Sequence, residues 1–494
     1  MAENTSLVNY SLLIGDAWVP AQSGNSYDSR NPYTDQPWAT VPDGGSADVD
    51  AAVQAAGAAL HGPWGAMTGF ERAALLRELA TLLARDAQAL AELETRDNGK
   101  LLRETLGQMK ALPDWLNYFA GIADKIQGDV IPSDRRNFMV YTRHEPVGVV
   151  GAIVPWNSPL LLLMWKLAPA LAAGCTLVVK PSDYTPVTAL ELGRRVLEAG
   201  IPAGVFNVVT GFGPEVGQAL VSHPDVDRIA FTGSTSTGRA VARAAAENLT
   251  QTSLELGGKS AQLVFPDADL DAACNGIVAG IFAASGQTCI AGSRLIVHES
   301  IHDELIARLV DRARTIKLGD PLDMATEMGP LANVNQLNTV LGFLERAIEA
   351  GAKVATGGRT SPDHGALFFE PTVLTGVQPD MEVAQEEIFG PVLSVLTFTD
   401  DADAVRLANS TKYGLAAGLW TRDLARAHTI AHRLKAGTVW VNSYRVVAPN
   451  VPFGGVGASG WGRENGLDAV KDYTETKAVW LELEGQTRDP FKLG

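Results

Sequence analysis

Residues 286–294 read GQTCIAGSR and set one thiol, Cys289, among small and polar neighbours with a basic residue close behind. A cysteine in such a setting can fill a core, pair in a disulfide, hold a metal or act as a nucleophile. The chain has three cysteines, Cys175, Cys274 and Cys289, and none stands in CxxC spacing. So odd and sparse a count argues against a disulfide framework and against zinc, and no metal is expected. Core filling and nucleophilic attack both stay open for Cys289.

Other stretches carry chemistry of their own. In Leu254-Glu255-Leu256-Gly257-Gly258-Lys259 a single carboxylate lies between apolar residues. Desolvation there would raise its pKa towards that of a general base, whereas an exposed glutamate on a strand would do nothing. Pro155-Trp156-Asn157-Ser158-Pro159 offers a carboxamide that would either cap the next helix or donate to a developing oxyanion. FTGSTSTG, from Phe231 to Gly238, has the form strand, glycine turn, helix, which presents backbone N–H groups to a phosphate. Its spacing is neither the dinucleotide fingerprint nor a Walker loop, so a plain turn fits as well. Lys180 and Asp183 end another apolar run, where a carboxylate would accept from ribose hydroxyls and repel a 2′-phosphate, or simply face solvent.

These residues need a scaffold, and the apolar pattern predicts one. Short continuous strands are expected over 147–154, 175–180, 205–209 and 228–232, alternating with helices over 159–173, 189–198, 215–221 and 239–248. Such alternation implies a parallel sheet covered on both faces, with ligands beyond the carboxyl ends of its strands. A second alternating region, 259–459, has strand candidates at 261–265, 295–298, 392–398 and 438–441. Leucines from Leu75 to Leu93 follow one helical face and predict a helix that stops at Asn98-Gly99. The polar, alternating stretch 128–145 reads as a hairpin arm, and the tail alternates over 478–484 as an added edge strand would.

With 494 residues the chain exceeds one ordinary core, and about three domains are expected. A formal charge of −16 argues against a nucleic-acid partner. The N-terminus lacks a basic stretch followed by an apolar one, and the most apolar stretch, 159–173, is too short to span a bilayer. A cytoplasmic protein is therefore expected, with no membrane partner.

Taken together, GQTCIAGSR, LELGGKS, FTGSTSTG, VPWNSP, QEEIFGP (Gln385 to Pro391) and PFGGVGASGWGREN (Pro452 to Asn465) closely resemble the aldehyde dehydrogenase superfamily. The resemblance runs over roughly Tyr10 to Trp480. It implies an α/β fold of two parallel-sheet domains, a Rossmann-like cofactor domain and a catalytic domain, with a small β arm for oligomerisation. Residues 8–123 and 147–258 would form the cofactor domain, 259–458 the catalytic domain, and 124–146 with 459–494 the arm and tail.

On the same resemblance Cys289 would add to an aldehyde carbon, giving a thiohemiacetal whose oxyanion is held by the side chain of Asn157 and the backbone N–H of Cys289. After hydride leaves for NAD(P), Glu255 would activate water against the thioester. Lys166 and Glu464 match positions suggested to relay protons. Val154, Trp156, Lys180, Ser182, Asp183, Gly213, Gly217, Phe231, Gly233 and Ser234 would hold the adenosine and pyrophosphate side. Leu256 would lie near the nicotinamide, and Glu387 and Phe389 would hold its ribose and ring. Many relatives have Glu where this chain has Asp183, and NAD is expected over NADP. Many also have Lys where this chain has Gly457, so any contact of that lysine is absent. The aldehyde pocket would comprise Ser158, Leu161, Leu162, Trp165, Thr288, Ile290, Val447 and Phe453. Arg445 would either pair with an acidic group on the substrate or sit on the rim facing solvent or a neighbouring subunit. A homodimer or homotetramer is expected.

Three rival readings remain at this point. A cysteine hydrolase would want a histidine paired with Cys289, and no cysteine-protease signature surrounds it. Release of the thioester to coenzyme A or phosphate would replace hydrolysis. A non-catalytic relative would have lost the thiol, amide or carboxylate, and all three are present.

Overall fold

A computed structural model describes residues 7–485 and 489–491; the rest of the tail expected to follow the last strand lies outside the described residues. One mixed sheet of eight strands carries the cofactor-type pattern. Its order is Gly460–Trp461, Gln251–Glu255, Arg228–Thr232, Val149–Ile153, Thr176–Lys180, Phe206–Val208, Leu12–Ile14, Ala17–Val19. The five strands from Gln251–Glu255 to Phe206–Val208 run parallel. Chain order reverses between Val149–Ile153 and Arg228–Thr232, which opens a crevice at their carboxyl ends.

The edges depart from the expected all-parallel sheet. Leu12–Ile14 and Ala17–Val19 form an antiparallel hairpin that turns at Gly15, φ 68°. An antiparallel edge needs only a tight turn, not a helical crossover. At the other edge Gly460–Trp461 pairs antiparallel with Gln251–Glu255. A Cβ on Gly460 would lie 1.8 Å from the Leu254 carbonyl, so only glycine permits that approach. Residues 459–473, expected in the arm and tail, therefore lie beside the eight-stranded sheet, and only Thr474–Glu482 joins the arm.

Helix Pro159–Ala173 is buried at every position and ends on Gly174 at φ +98°. Such all-round apolarity identifies a core helix rather than an amphipathic surface one. The leucine-rich helix spans Gly69–Asn98, opened by a Thr68/Glu71 capping box and closed by left-handed Gly99. The helix expected at 215–221 begins earlier, as a π turn over Gly213–Gly217, and continues as Gln218–Val221.

A second sheet has seven strands in the order Lys353–Thr356, Thr372–Thr375, Val392–Phe398, Arg294–His298, Ala261–Val264, Ala416–Trp420, Thr438–Val441. All pairs are parallel except the first. The arm is a third sheet: Phe138–Pro146 pairs antiparallel with Val130–Ile131 and with Thr474–Glu482. Val130, Ile131, Met139, Trp480 and Leu481 stay exposed on it. Among the described residues no helix is long and apolar enough to cross a membrane, and no cluster could hold a metal ion.

Candidate active site

Cys289 lies on the loop between helix Leu270–Ile281 and strand Arg294–His298. Three consecutive left-handed residues, Ala284 (φ 51°), Ser285 (φ 53°) and Gly286 (φ 72°), set its course. A Cβ on Gly286 would stand 2.1 Å from the Gly390 carbonyl, so glycine lets the loop press on the QEEIFGP segment. Ser285 Oγ braces the loop by donating to Gly329 O at 2.8 Å. Backbone strain of this kind concentrates where a fold must present a reactive group. Burial pushes the Cys289 thiol up to about 12, and the carboxyl groups of Glu255 and Glu387 add to the rise. The N–H groups of Ile290 and Cys289 act the other way. The resting thiol is thus neutral near pH 7.

Asn157 follows strand Val149–Ile153 and is buried. Its side-chain nitrogen donates one hydrogen to Gln287 O at 3.0 Å, which ties it to the Cys289 loop. A carboxamide has two such hydrogens, so one remains for an oxyanion. Two groups that motif reading passed over position this corner. Lys100 Nζ donates to Asn157 O at 3.2 Å, and Glu94 Oε2 accepts from the Leu160 N–H at 3.2 Å. Glu94 thereby satisfies an orphan donor at the start of helix Pro159–Ala173, which Ser158 does not cap with its side chain. Both follow one another in a helix and its stop signal, where sequence spacing gives no hint of a tertiary partner.

Glu255 ends the strand next to Arg228–Thr232 and is buried, with neither carboxyl oxygen hydrogen-bonded among the described residues. Its pKa is raised well above the ordinary value, first by burial and then by Glu464, with Lys166 and Arg463 opposing. The carboxyl rests against Gly454, where a Cβ would lie 2.7 Å from Oε1. Lys166, fully buried, pairs with Glu464 and donates to Thr232 Oγ1 at 2.7 Å. The two expected relay residues are therefore joined, and Thr232 links them to the cleft wall.

The ten residues expected around adenosine and pyrophosphate, Val154, Trp156, Lys180, Ser182, Asp183, Gly213, Gly217, Phe231, Gly233 and Ser234, line one cavity of about 540 Å³ at the crevice. Its chemistry fits a dinucleotide. Ser234 caps helix Thr235–Glu247, whose N-terminus offers partial positive charge to a phosphate. A Cβ on Gly233 would lie 2.5 Å from the Phe231 ring, so the turn keeps that approach clear. Burial lowers the Lys180 pKa while Asp183 supports its charge.

A second cavity of about 250 Å³ shares Trp156, Thr232, Gly233 and Ser234 with the first and holds Asn157, Glu255, Leu256, Cys289, Glu387 and Phe389. Phe389, at φ 56°, meets Trp156 edge-on at 5.1 Å. Glu387 Oε1 accepts from the Gly258 N–H at 3.0 Å, and burial raises its pKa to about 7. Gln336 and Thr339 also line this cavity, reached from a helix too far along the chain for any motif to flag.

On the expected substrate side, Leu162 lines the same cavity. Trp165 packs on Phe453 at 5.0 Å and on Trp115 at 6.1 Å. Ile290 and Val447 are half-buried against the same core as Cys289, and Leu161 and Thr288 are buried. Ser158 is buried in a polar cluster with Lys100 and Gln108. Arg445 is half-buried and donates to Ala279 O at 2.8 Å.

A crevice suited to a dinucleotide that runs down to a half-buried thiol defines a nicotinamide-dependent oxidoreductase working through cysteine. The chain belongs to the aldehyde dehydrogenase family, whose pattern it matches over residues 18–479. It is 49% identical over 469 residues to (Z)-2-((N-methylformamido)methylene)-5-hydroxybutyrolactone dehydrogenase of Acinetobacter baylyi, covering 94% of this chain and 96% of that one. It is 45% identical over 476 residues to aldehyde dehydrogenase 1A1 of Oryctolagus cuniculus, with 96% of each covered. A crystal structure of betaine aldehyde dehydrogenase from Staphylococcus aureus in complex with NAD+ superposes with a TM-score of 0.97 at 38% identity, covering 98% of this chain and 97% of that one. The NAD+ complex of aldehyde dehydrogenase from Bacillus cereus gives 0.95 at 44%, covering 96% and 97%. The protein is an NAD(P)-dependent enzyme that oxidises an aldehyde to its carboxylic acid.

Proposed function

We propose that Cys289 is the nucleophile, Asn157 and the Cys289 N–H hold the oxyanion, and Glu255 is the base that delivers water. One observation carries this reading: thiol, amide and carboxyl converge on a single cavity that also holds Glu387, Phe389 and Leu256. Cys289 sulfur bonds to the aldehyde carbon, and Asn157 stabilises the negative oxygen of the thiohemiacetal. A nicotinamide held beside Glu387, Phe389 and Leu256 would supply the hydride acceptor for that carbon. Glu255 then removes a proton from water, which attacks the resulting thioester and releases the acid and the thiol. Lys166 and Glu464 pass the proton on towards Thr232, supported by their contacts with each other and with it. Hydrolysis rather than transfer to coenzyme A is favoured by a buried carboxyl beside the thiol.

Asp183 in the adenosine cavity supports NAD over NADP, because its charge opposes a 2′-phosphate. The cofactor is assigned to residues 8–123 and 147–258, and the nucleophile to 259–458. The apolar residues left exposed on the arm sheet support self-association as a homodimer or homotetramer. Three unpaired cysteines support a reducing, cytoplasmic setting. The test is NADH formation from aldehyde and NAD by wild type and Cys289→Ser. The reading requires activity in the first and none in the second; turnover by Cys289→Ser would refute it.

A further inference from the structure

The two halves of the site come from different sheets, and one turn touches both. Asn157 follows strand Val149–Ile153 of the eight-stranded sheet, whereas the Cys289 loop leads into strand Arg294–His298 of the seven-stranded one. The turn, residues 99–101, joins helix Gly69–Asn98 to helix Leu102–Ala120.

On the amide side, the three hydrogens of the Lys100 ammonium meet three acceptors. They are Ser158 Oγ at 2.7 Å, Gln108 Oε1 at 3.1 Å and the main-chain oxygen of Asn157 at 3.2 Å. Gln108 Nε2 donates to the same Ser158 Oγ at 3.3 Å, which ties the cluster together. On the thiol side, Glu104 Oε1 accepts from the Ala284 N–H at 2.9 Å, at the first of the three left-handed residues that lead to Cys289. The turn also presses on the segment that braces this loop. A Cβ on Gly329 would lie 2.5 Å from Gly99 O, and Gly329 O accepts from Ser285 Oγ at 2.8 Å. The Leu102 N–H donates to Pro321 O at 2.8 Å and docks the start of the second helix on the same segment.

Charge is balanced inside the cluster. Lys100 is buried, and the carboxyl groups facing it are Glu104 and Glu94. Each gives one oxygen to a backbone N–H, Glu104 to Ala284 and Glu94 to Leu160. Their other oxygens, Glu94 Oε1 and Glu104 Oε2, are buried without a hydrogen-bond partner among the described residues, so the ammonium between them is their counter-charge. Removing one member of such a cluster leaves a buried charge uncompensated.

We propose that Lys100 and Glu104 form one clamp that fixes the amide of Asn157 against the Cys289 loop. Both are positioning residues: neither lines the cavity of Cys289, and they act through Asn157 and Ala284. The clamp rests on the reading of Asn157 as the oxyanion donor.

The experiment measures single-turnover NADH formation with the alkanal that wild type oxidises fastest, together with half-saturating alkanal and NAD affinity. It compares wild type, Lys100→Met, Glu104→Ala, Lys100→Met/Glu104→Ala, Asn157→Ala and Asn157→Ala/Lys100→Met. Lys100→Gln, polar and one atom shorter, runs in parallel as the variant gentler on folding, and NAD affinity reports the folded protein. Each single clamp variant is expected to slow the saturated rate roughly ten- to a hundredfold, as a misplacement of about 1 Å does. Half-saturating alkanal and NAD affinity should stay within about twofold. In the Asn157→Ala background Lys100→Met should change the rate by less than about twofold, and the double clamp variant should be no slower than the worse single one by more than that. The same fractional loss with and without Asn157 would make Lys100 merely structural and overturn the clamp. Losses that multiply in Lys100→Met/Glu104→Ala, or a wild-type rate in either single variant, would also overturn it. A wild-type rate in Asn157→Ala would instead overturn the oxyanion assignment beneath it.

Discussion

Replacing Glu255 by glutamine tests the proposed division of labour most sharply. The two side chains have the same shape, and neither Glu255 oxygen holds a hydrogen bond that the change would break. Burial raises the Glu255 pKa well above the ordinary value, so a neutral amide of the same shape should disturb folding little. Loss of a positioned general base costs about 10²- to 10⁴-fold, and it should fall on thioester hydrolysis alone. The same substitution removes a carboxyl that helps to raise the Cys289 pKa. Thiol attack should therefore begin at lower pH in the variant, because a lower thiol pKa leaves more thiolate at any given pH. The wild-type rate should rise with pH, because a base whose pKa is raised is ionised only above that value. In Glu255→Gln this limb should vanish from turnover. Stopped-flow NADH formation reads both effects: a burst near one NADH per active site, undiminished at pH 7, followed by a steady state slowed at least about a hundredfold. A burst lost in proportion to turnover would place Glu255 before hydride transfer and refute the reasoning. Unchanged turnover would refute its role as base.

Three further outcomes are expected. Asn157→Ala should lower kcat about 10²- to 10³-fold through the oxyanion, and should cost about 1–3 kcal/mol in urea unfolding because Gln287 O loses its buried donor. Lys166→Met should destabilise by about 3–5 kcal/mol by stranding buried Glu464, and Lys166→Met/Glu464→Leu should recover most of that loss. Asp183→Ser should shift the NAD to NADP ratio of kcat/KM towards NADP by about tenfold or more, roughly 1.4 kcal/mol, measured under matched salt.

Where local pattern carried the information, the sequence foretold the structure. The strands Arg228–Thr232 and Val392–Phe398 fall on their apolar runs because buried parallel strands are continuous in hydrophobicity, and Thr438–Val441 falls on its run although it is a half-buried edge strand. Asn98-Gly99 stops its helix because only the left-handed cap fits there. The short strands Leu12–Ile14 and Gly460–Trp461 were not legible, since three or two residues make no pattern and their places depend on the edges they join. Ser158 read as one pocket residue among many; its two donors come from Lys100 and Gln108, fifty-eight and fifty positions away, and only the fold brings them together. Lys166 and Glu464 were each singled out by family likeness, but their pairing spans 298 positions and only the fold reveals it.

On the proposed mechanism the substrate carbon becomes bonded to Cys289. Glu255→Gln mixed with aldehyde and NAD, quenched in acid after the burst and digested for mass spectrometry, tests it directly. The peptide containing Cys289 should carry the mass of the acyl group, with Cys175 and Cys274 unmodified. An acyl group on any other residue, or a full burst with no acylated peptide, would contradict the account.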